Sequence, residues 1–130
     1  MITPIAFDHI TLIVADIEKT REFYVEKIWM QQVARPDFDF PGIWFQLGAT
    51  QIHATLDGNE AGKAGIGDRG NSIVSRGHHF AFRVEDCRKE SAKLDELGIE
   101  ILQGPKERPD GAVQSYFADP DGHIIELVSE

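Results

Sequence analysis

Cysteine is almost missing from this chain of 130 residues, in which Cys87 is the single thiol. One thiol cannot form an internal disulfide, so a reducing compartment is expected. Apolar runs of membrane-spanning length are also missing, and the segment Met1–Pro4 lacks the charged and apolar regions of a signal peptide. Together these absences predict a cytoplasmic protein.

Positive charge is scarce as well. The chain has 13 lysine and arginine residues against 22 aspartate and glutamate residues, which gives a formal net charge of −9. Such a surface is poorly suited to a phosphate backbone or to an anionic membrane. The hydrophobic share of 42% is sufficient for one domain with a real core. We therefore expect a small molecule as partner, and neither nucleic acid nor a membrane.

An internal repeat places residues of metal-ligand type at matching positions. Two stretches of similar pattern, each ending in an aspartate before a helical segment, align His9 with His79. Two later apolar stretches align His53 with Glu126. Three imidazoles and one carboxylate at equivalent places of two half-domains are what a divalent metal site would need. The sequence therefore predicts such a site.

Hydrophobic periodicity predicts the same element order, βαβββ, in both halves and hence an α+β fold. Asp16 and Asp86 each stand as a helix N-cap, and Gly98 follows the second helix. Predicted helices cover residues 17–28 and 87–97, and predicted strands cover 7–14, 31–35, 43–47, 51–56, 79–84, 99–102, 113–118 and 124–128.

The predicted organisation is a single domain over residues 1–130. It consists of a first module at about 5–57, a connector at 58–77 and a second module at 78–130. The connector holds six of the twelve glycines, which predicts a long mobile connection and not a domain boundary.

The first predicted strand separates a histidine from an apolar stripe. Ile10, Leu12 and Val14 share one face, which we expect to meet the helix, so His9 points to the opposite face. The same alternation separates the other candidates from their apolar neighbours: His53, His79 and Glu126.

Three segments, 7–16, 79–86 and 116–127, carry a resemblance that covers nearly the whole chain. With them the chain resembles the vicinal oxygen chelate superfamily, which includes glyoxalase I, methylmalonyl-CoA epimerase, extradiol dioxygenases, and the fosfomycin- and bleomycin-resistance proteins. The resemblance implies two βαβββ modules that form a cup-shaped mixed sheet with helices on its outer face. It also implies a divalent metal (Zn, Ni, Co, Mn or Fe(II)) and a homodimer.

The resemblance implies that the metal ligands are His9, His53, His79 and Glu126. One departure concerns His53, because glyoxalases and epimerases usually have Glu or Gln at that place. Taken alone, His53 is more often a satisfied core histidine than a ligand. Glu126 is the expected catalytic residue, a carboxylate ligand that detaches to serve as a base.

The predicted activity is metal-dependent, glyoxalase-like lyase or isomerase chemistry on a small oxygenated metabolite, by stabilisation of an enediolate. An Fe(II)-dependent ring-cleaving dioxygenase is the first alternative, in which His9, His79 and Glu126 hold the metal and His53 is an acid or base. A non-catalytic protein that sequesters a drug or metabolite is the second alternative.

Substrate contacts are predicted at two aromatic and two basic residues. Trp44 and Tyr116 lie in predicted strands and would line the substrate site, although core packing explains them equally well. Arg69 and Arg108 lie in predicted loops and would hold a carboxylate, although solvated surface charge is the simpler interpretation.

Overall fold

The computed structural model describes all residues from Met1 to Glu130. The chain forms two compact units, Met1–Gly65 and Ile66–Glu130, called here the first and the second unit. The division falls inside the predicted connector. The organisation as a single domain stays a prediction.

The first unit is a four-stranded mixed sheet with one helical segment. The strands run in the order β1-β4-β3-β2, in which β1 is parallel to β4 and the other neighbours are antiparallel. Its elements are β1 (His9–Val14), α1 (Ile17–Arg21) with a π-helical continuation (Glu22–Lys27), β2 (Gln31–Val33), β3 (Gly42–Leu47) and β4 (Thr50–Leu56).

The second unit repeats this topology. Its strands run in the order β5-β8-β7-β6, with β5 parallel to β8 and the other neighbours antiparallel. Its elements are a 3-10 turn (Val74–Arg76), β5 (Phe80–Arg83), α2 (Cys87–Glu96), β6 (Gln103–Glu107), β7 (Val113–Ala118) and β8 (Ile124–Ser129). The predicted α+β fold of two repeated modules with mixed sheets is thereby confirmed.

Both helices begin where their capping residues predict. The Asp16 carboxylate accepts the N–H of Lys19, and the Asp86 carboxylate accepts the N–H of Lys89. The first helix departs from prediction because it widens into a π-helical turn. That turn places the neighbouring residues Phe23 and Tyr24 together in the core.

The two cores have different chemistry. In the first unit, the ring of Tyr24 stacks on Phe45 with centroids 5.4 Å apart, and both residues are fully buried. In the second unit, α2 packs on the sheet partly through hydroxyl groups. The hydroxyls of Ser91 and Ser115 are 2.7 Å apart, and the thiol of Cys87 lies 3.4 Å from the carbonyl oxygen of Leu127.

The predicted strand 99–102 is wrong. The N–H of Ile99 bonds the Leu94 carbonyl at 2.9 Å and its side chain is buried, so this residue completes the C-terminal turn of α2. Pairing starts only at Leu102, whose N–H bonds the Tyr116 carbonyl at 2.7 Å. Strand β6 therefore occupies Gln103–Glu107.

The glycine-rich connector contains more local structure than its composition suggests. Gly58 and Gly62 form a two-bond antiparallel bridge, and the N–H of Gly65 bonds the carbonyl of Ile13 in β1 at 3.0 Å. The first part of the connector thus belongs to the first unit. None of the helices has the length and apolar character that a membrane-spanning helix needs.

Candidate metal centre

His9 opens β1 and carries a carboxylate partner on one ring nitrogen. Its Nδ1 lies 2.6 Å from Oδ2 of Asp8, which precedes it in the chain. A carboxylate accepts at neutral pH, so in the neutral ring the proton sits on Nδ1 and Nε2 keeps its lone pair. Metal-binding histidines commonly have such a partner, which fixes the tautomer and orients the ring. His9 is therefore prepared to bind an ion through Nε2.

His53 forms the centre of a three-ring stack. Trp44 lies directly opposite it on the neighbouring strand, with ring centroids 3.7 Å apart and planes at 2°. On the other side the ring of His9 lies 3.9 Å away at 19°. Burial lowers the pKa of His53, and His9 lowers it further, so the ring is held neutral.

The stack limits what His9 and His53 can do together. An imidazole lone pair lies in the plane of its ring, and bonds to zinc are about 2.0–2.1 Å long. Two nearly parallel planes 3.9 Å apart do not meet at a point within bonding distance of both rings. In this arrangement one ring can bind a given ion, and the other must turn to join it. The assignment of His53 as a ligand stays a prediction.

His79 and Glu126 form the matching pair in the second unit. His79 lies just before β5, and its Nδ1 donates to the carbonyl of Gly77 at 2.8 Å. Its Nε2 therefore holds the lone pair in the neutral ring, and it lies 3.2 Å from Oε1 of Glu126. Two ligand atoms at about 2.1 Å from one metal, at roughly right angles, are themselves about 3 Å apart. The pair thus fits adjacent positions around a divalent ion.

Tyr116 anchors the carboxylate of that pair. Tyr116 on β7 pairs directly with Glu126 on β8, and its hydroxyl donates to Glu126 Oε1 at 2.6 Å. Both residues are buried. Burial, followed by the hydrogen bond to Glu126, raises the pKa of Tyr116 far above its ordinary value, so the hydroxyl stays protonated and remains a donor. The Tyr116 ring also meets His79 edge-on at 5.4 Å.

Arg108 and Arg69 occupy different surroundings. Arg108 donates two hydrogen bonds of 2.7 Å to the Asp110 carboxylate, and that partner raises the pKa of the guanidinium. It also lines a cavity of about 180 Å³ together with Lys106 and Tyr116. Arg69 is exposed in the connector, where its carbonyl accepts the N–H of Ser72. The described contacts thus place Arg108 beside Tyr116, whereas Arg69 stays on the surface.

A third group of ligand-type atoms lies in the turn before β8, where Asp119, Asp121 and His123 come within 4.8 Å of one another. His123 is buried. The Asp119 carboxylate accepts the N–H groups of Asp121 and His123 and the Nδ1–H of the His123 ring. These bonds are those of a tightly built turn.

Sequence reasoning missed the groups that orient the candidate ligands. Asp8, Gln51 and the carbonyl of Gly77 each bond a ring nitrogen of a candidate histidine. The adjacency of Asp8 to His9 was a usable signal. The role of Gln51 depends on which side-chain atoms meet across one strand face, which the sequence does not show.

The family of the chain follows from a family model that matches residues 6–127, described as the Glyoxalase/Bleomycin resistance protein/Dioxygenase superfamily. The chain belongs to this superfamily. The resemblance predicted from the three sequence segments is confirmed, and the description of the superfamily covers several chemistries.

Similar proteins carry different names. Glyoxylase I 4 of Arabidopsis thaliana is 25% identical over 94% of this chain and 69% of its own length. The metallothiol transferase FosB of Bacillus licheniformis is 28% identical over 95% of this chain and 74% of its own length. A solved glyoxalase family protein from Bacillus anthracis is 27% identical, with a TM-score of 0.76 over 100% of this chain and 99% of that one.

A further solved structure supports the fold alone. TnmS3, an antibiotic binding protein from a Streptomyces species, has a TM-score of 0.74 over 99% of this chain and 98% of its own, at 22% identity. The scaffold therefore accommodates proteins named as enzymes and a protein named as a binder.

Proposed function

We propose that this superfamily member is a metal-dependent, glyoxalase-like lyase or isomerase that acts on a small oxygenated metabolite. The observation that carries the proposal is the 3.2 Å approach of His79 Nε2 to Glu126 Oε1, with the other ring nitrogen of His79 tied to a carbonyl. Two lone-pair donors at this distance need a cation between or beside them, which is either a proton or a metal ion.

The proposed ligands are His9, His79 and Glu126. His9 and His79 both present Nε2, because Asp8 and the Gly77 carbonyl hold their Nδ1 protons. We propose that one ion takes ligands from both pairs, in keeping with the family resemblance. His53 then stands beside the site as an acid or base, which agrees with its stacked position and lowered pKa.

A divalent ion at these ligands supplies Lewis-acid stabilisation of negative charge on adjacent substrate oxygens. The residues supply the proton transfers. The Tyr116 hydroxyl occupies Oε1 of Glu126, so the second carboxylate oxygen is the one that accepts a substrate proton. The protonated Glu126 carboxyl can return that proton to the substrate, and the neutral ring of His53 is a second proton acceptor.

The substrate contacts are proposed from the surroundings of Tyr116 and His53. The cavity lined by Lys106, Arg108 and Tyr116 suits a small anionic group of the substrate, because two cationic residues against one acidic residue, Glu107, line it. Trp44 offers an aromatic edge next to His53. We propose that Arg69 contacts the substrate only when the connector moves.

A second candidate, an Fe(II)-dependent dioxygenase, is favoured by one observation. Because the near-parallel rings of His9 and His53 cannot bind the same ion without turning, only one of them joins His79 and Glu126 in the proposed ligand set. Two histidines and one carboxylate with open positions are characteristic of non-haem iron oxygenases.

Metal content of protein purified without an affinity tag tests the proposal. We expect about one transition metal per chain, and its loss in the separate variants His9→Ala, His79→Ala and Glu126→Gln. His78→Ala is the matched control, because it removes an exposed neighbouring imidazole. Folded protein that takes up no Zn, Ni, Co, Mn or Fe(II) would refute the metal site. Retention by His9→Ala alone would refute the sharing of one ion by both pairs.

Turnover separates the candidate activities. A lyase or isomerase converts its substrate without oxygen, and an array of 2-oxoaldehyde adducts of thiols is the first panel to test. A dioxygenase requires Fe(II) and consumes oxygen with catechols. Binding without turnover in both panels would favour a sequestering protein. Light scattering of the same samples tests the implied homodimer.

A further inference from the structure

Three side chains on one face of the first sheet form a continuous hydrogen-bond chain. The Gln46 amide nitrogen donates to the Gly48 carbonyl at 2.8 Å. The Gln51 amide nitrogen donates to Gln46 Oε1 at 3.0 Å, and Gln51 Oε1 lies 2.7 Å from Nε2 of His53. Gln46 and Gln51 are direct partners on β3 and β4, so the strand register itself builds the chain.

Donors and acceptors in this hydrogen-bond chain can be arranged in only one direction. A backbone carbonyl accepts hydrogen bonds and cannot donate them, so Gly48 requires the NH₂ group of Gln46. The oxygen of Gln46 then requires the NH₂ group of Gln51, and the oxygen of Gln51 requires a proton on His53 Nε2. Amide orientation is assigned from such networks, and here the fixed carbonyl leaves one consistent solution.

We propose that Gln46 and Gln51 are positioning residues that hold His53 as the Nε2–H tautomer and leave Nδ1 as its hydrogen-bond acceptor. His9 and His79 have the opposite tautomer, because their Nδ1 atoms carry the proton. The ring of His53 is stacked between Trp44 and His9, which stabilises its plane. A flip of the His53 ring that would exchange its two nitrogens must therefore first open the stack.

This inference rests on the proposed function and assigns the atom of His53 that takes part in proton transfer. An acid or base role requires Nδ1 to accept a proton or hydrogen bond from a hydroxyl or an acidic C–H of the substrate. Nε2 stays occupied by Gln51 throughout. The ligand chemistry that fits is a small hydroxy or oxo compound whose acidic proton lies next to a carbonyl.

Long-range ¹H–¹⁵N correlation spectra of the metal-free, ¹⁵N-labelled protein test the tautomer at an alkaline pH where the ring is neutral. In the wild type we expect a protonated-type shift for His53 Nε2 and an unprotonated-type shift for Nδ1. Gln51→Glu retains the acceptor and should retain this pattern. Gln51→Met and Gln46→Met should move both nitrogens toward averaged shifts, and Gln32→Met, which is exposed on β2 and pairs with Phe45 and not with Gln46, should not.

A wild-type spectrum with Nε2 unprotonated would overturn the proposal. An unchanged pattern of nitrogen shifts in Gln51→Met would overturn the positioning role, since the His53 ring would then keep its tautomer without the hydrogen-bond chain. The readout needs neither metal nor substrate, so failure of the proposed metal site is distinguishable from failure of the tautomer assignment. Where a methionine variant fails to fold, the wild-type and Gln51→Glu spectra still decide the tautomer.

Discussion

The first and second units share one topology but place different chemistry at the same position. In the first unit, His9 and His53 lie in an aromatic stack with Trp44. In the second unit, His79 Nε2 lies 3.2 Å from Glu126 Oε1, and Tyr116 donates a hydrogen bond to that carboxylate. The repeated strand order therefore puts candidate residues at equivalent positions of the two units, whereas the neighbouring side chains decide what each residue can do.

Burial sharpens this difference. The side chain of Glu126 is 7% exposed, whereas that of His9 is 40% exposed. A buried carboxylate is costly to leave without partners, so Glu126 depends on its hydrogen bond from Tyr116. The more open histidine of the first unit can adapt to an incoming ligand. Glu126 is therefore the more constrained of these two side chains.

The largest effect is expected from Glu126→Gln, which removes the negative charge of the second pair. Metal affinity should fall by roughly 100-fold or more, beyond the range typical of outer-shell changes. Competition with a chromophoric chelator measures it, and Glu107→Gln on the exposed edge strand is the control. Equal affinity in both variants would remove Glu126 from the ligand set.

Tyr116→Phe should have the next largest effect. The Glu126 carboxylate loses its buried donor, so metal affinity should fall about 10–100-fold and stability by about 1–3 kcal/mol. Chelator competition and urea unfolding measure the two losses. Tyr24→Phe, in the core of the first unit, should leave metal affinity unchanged. A Tyr116→Phe variant with wild-type affinity would contradict the anchoring role.

His53→Glu makes the first unit resemble the second. A carboxylate beside His9 adds negative charge to the proposed site, so metal affinity should rise about tenfold. His53→Gln removes the ring without adding charge and serves as the matched control. A gain of similar size in both variants would show that loss of the stack, and not charge, is responsible.

Trp44→Ala tests the stack itself. Loss of its contact with His53 should cost about 1 kcal/mol of stability and increase the mobility of the His53 ring. Urea unfolding and ring relaxation measurements report the two changes. Trp29→Ala is the control, because Trp29 is 88% exposed. Unchanged ring relaxation would indicate that His9 alone holds the ring.

Asp110→Asn should have the smallest effect. Its partner Arg108 lowers the pKa of Asp110 to about 2, so the pair stabilises the fold above the ordinary carboxyl range and loses this contribution as the pH falls toward that value. The side chains of the pair are 43% and 59% exposed, so thermal unfolding at neutral pH should hardly change compared with Asp95→Asn. The released Arg108 should bind small anions more tightly, which ion titration followed by NMR measures.

Sequence reasoning was most successful where the chain is locally periodic. Alternation placed His9 opposite the buried residues Leu12 and Val14, and the capping aspartates fixed both helix starts. It failed where distant residues decide the outcome. The stack of His53 depends on its register against Trp44, and β6 depends on how α2 ends at Ile99.

The buried thiol of Cys87 allows local opening of the second unit to be measured by chemical modification. A residue with no solvent exposure, whose sulfur contacts the Leu127 carbonyl, reacts with alkylating reagents only when the helix lifts from the sheet. Its alkylation rate therefore measures local opening of the second unit. New cysteines placed on the surface would react first, so site-specific labels can be attached without removing the native one.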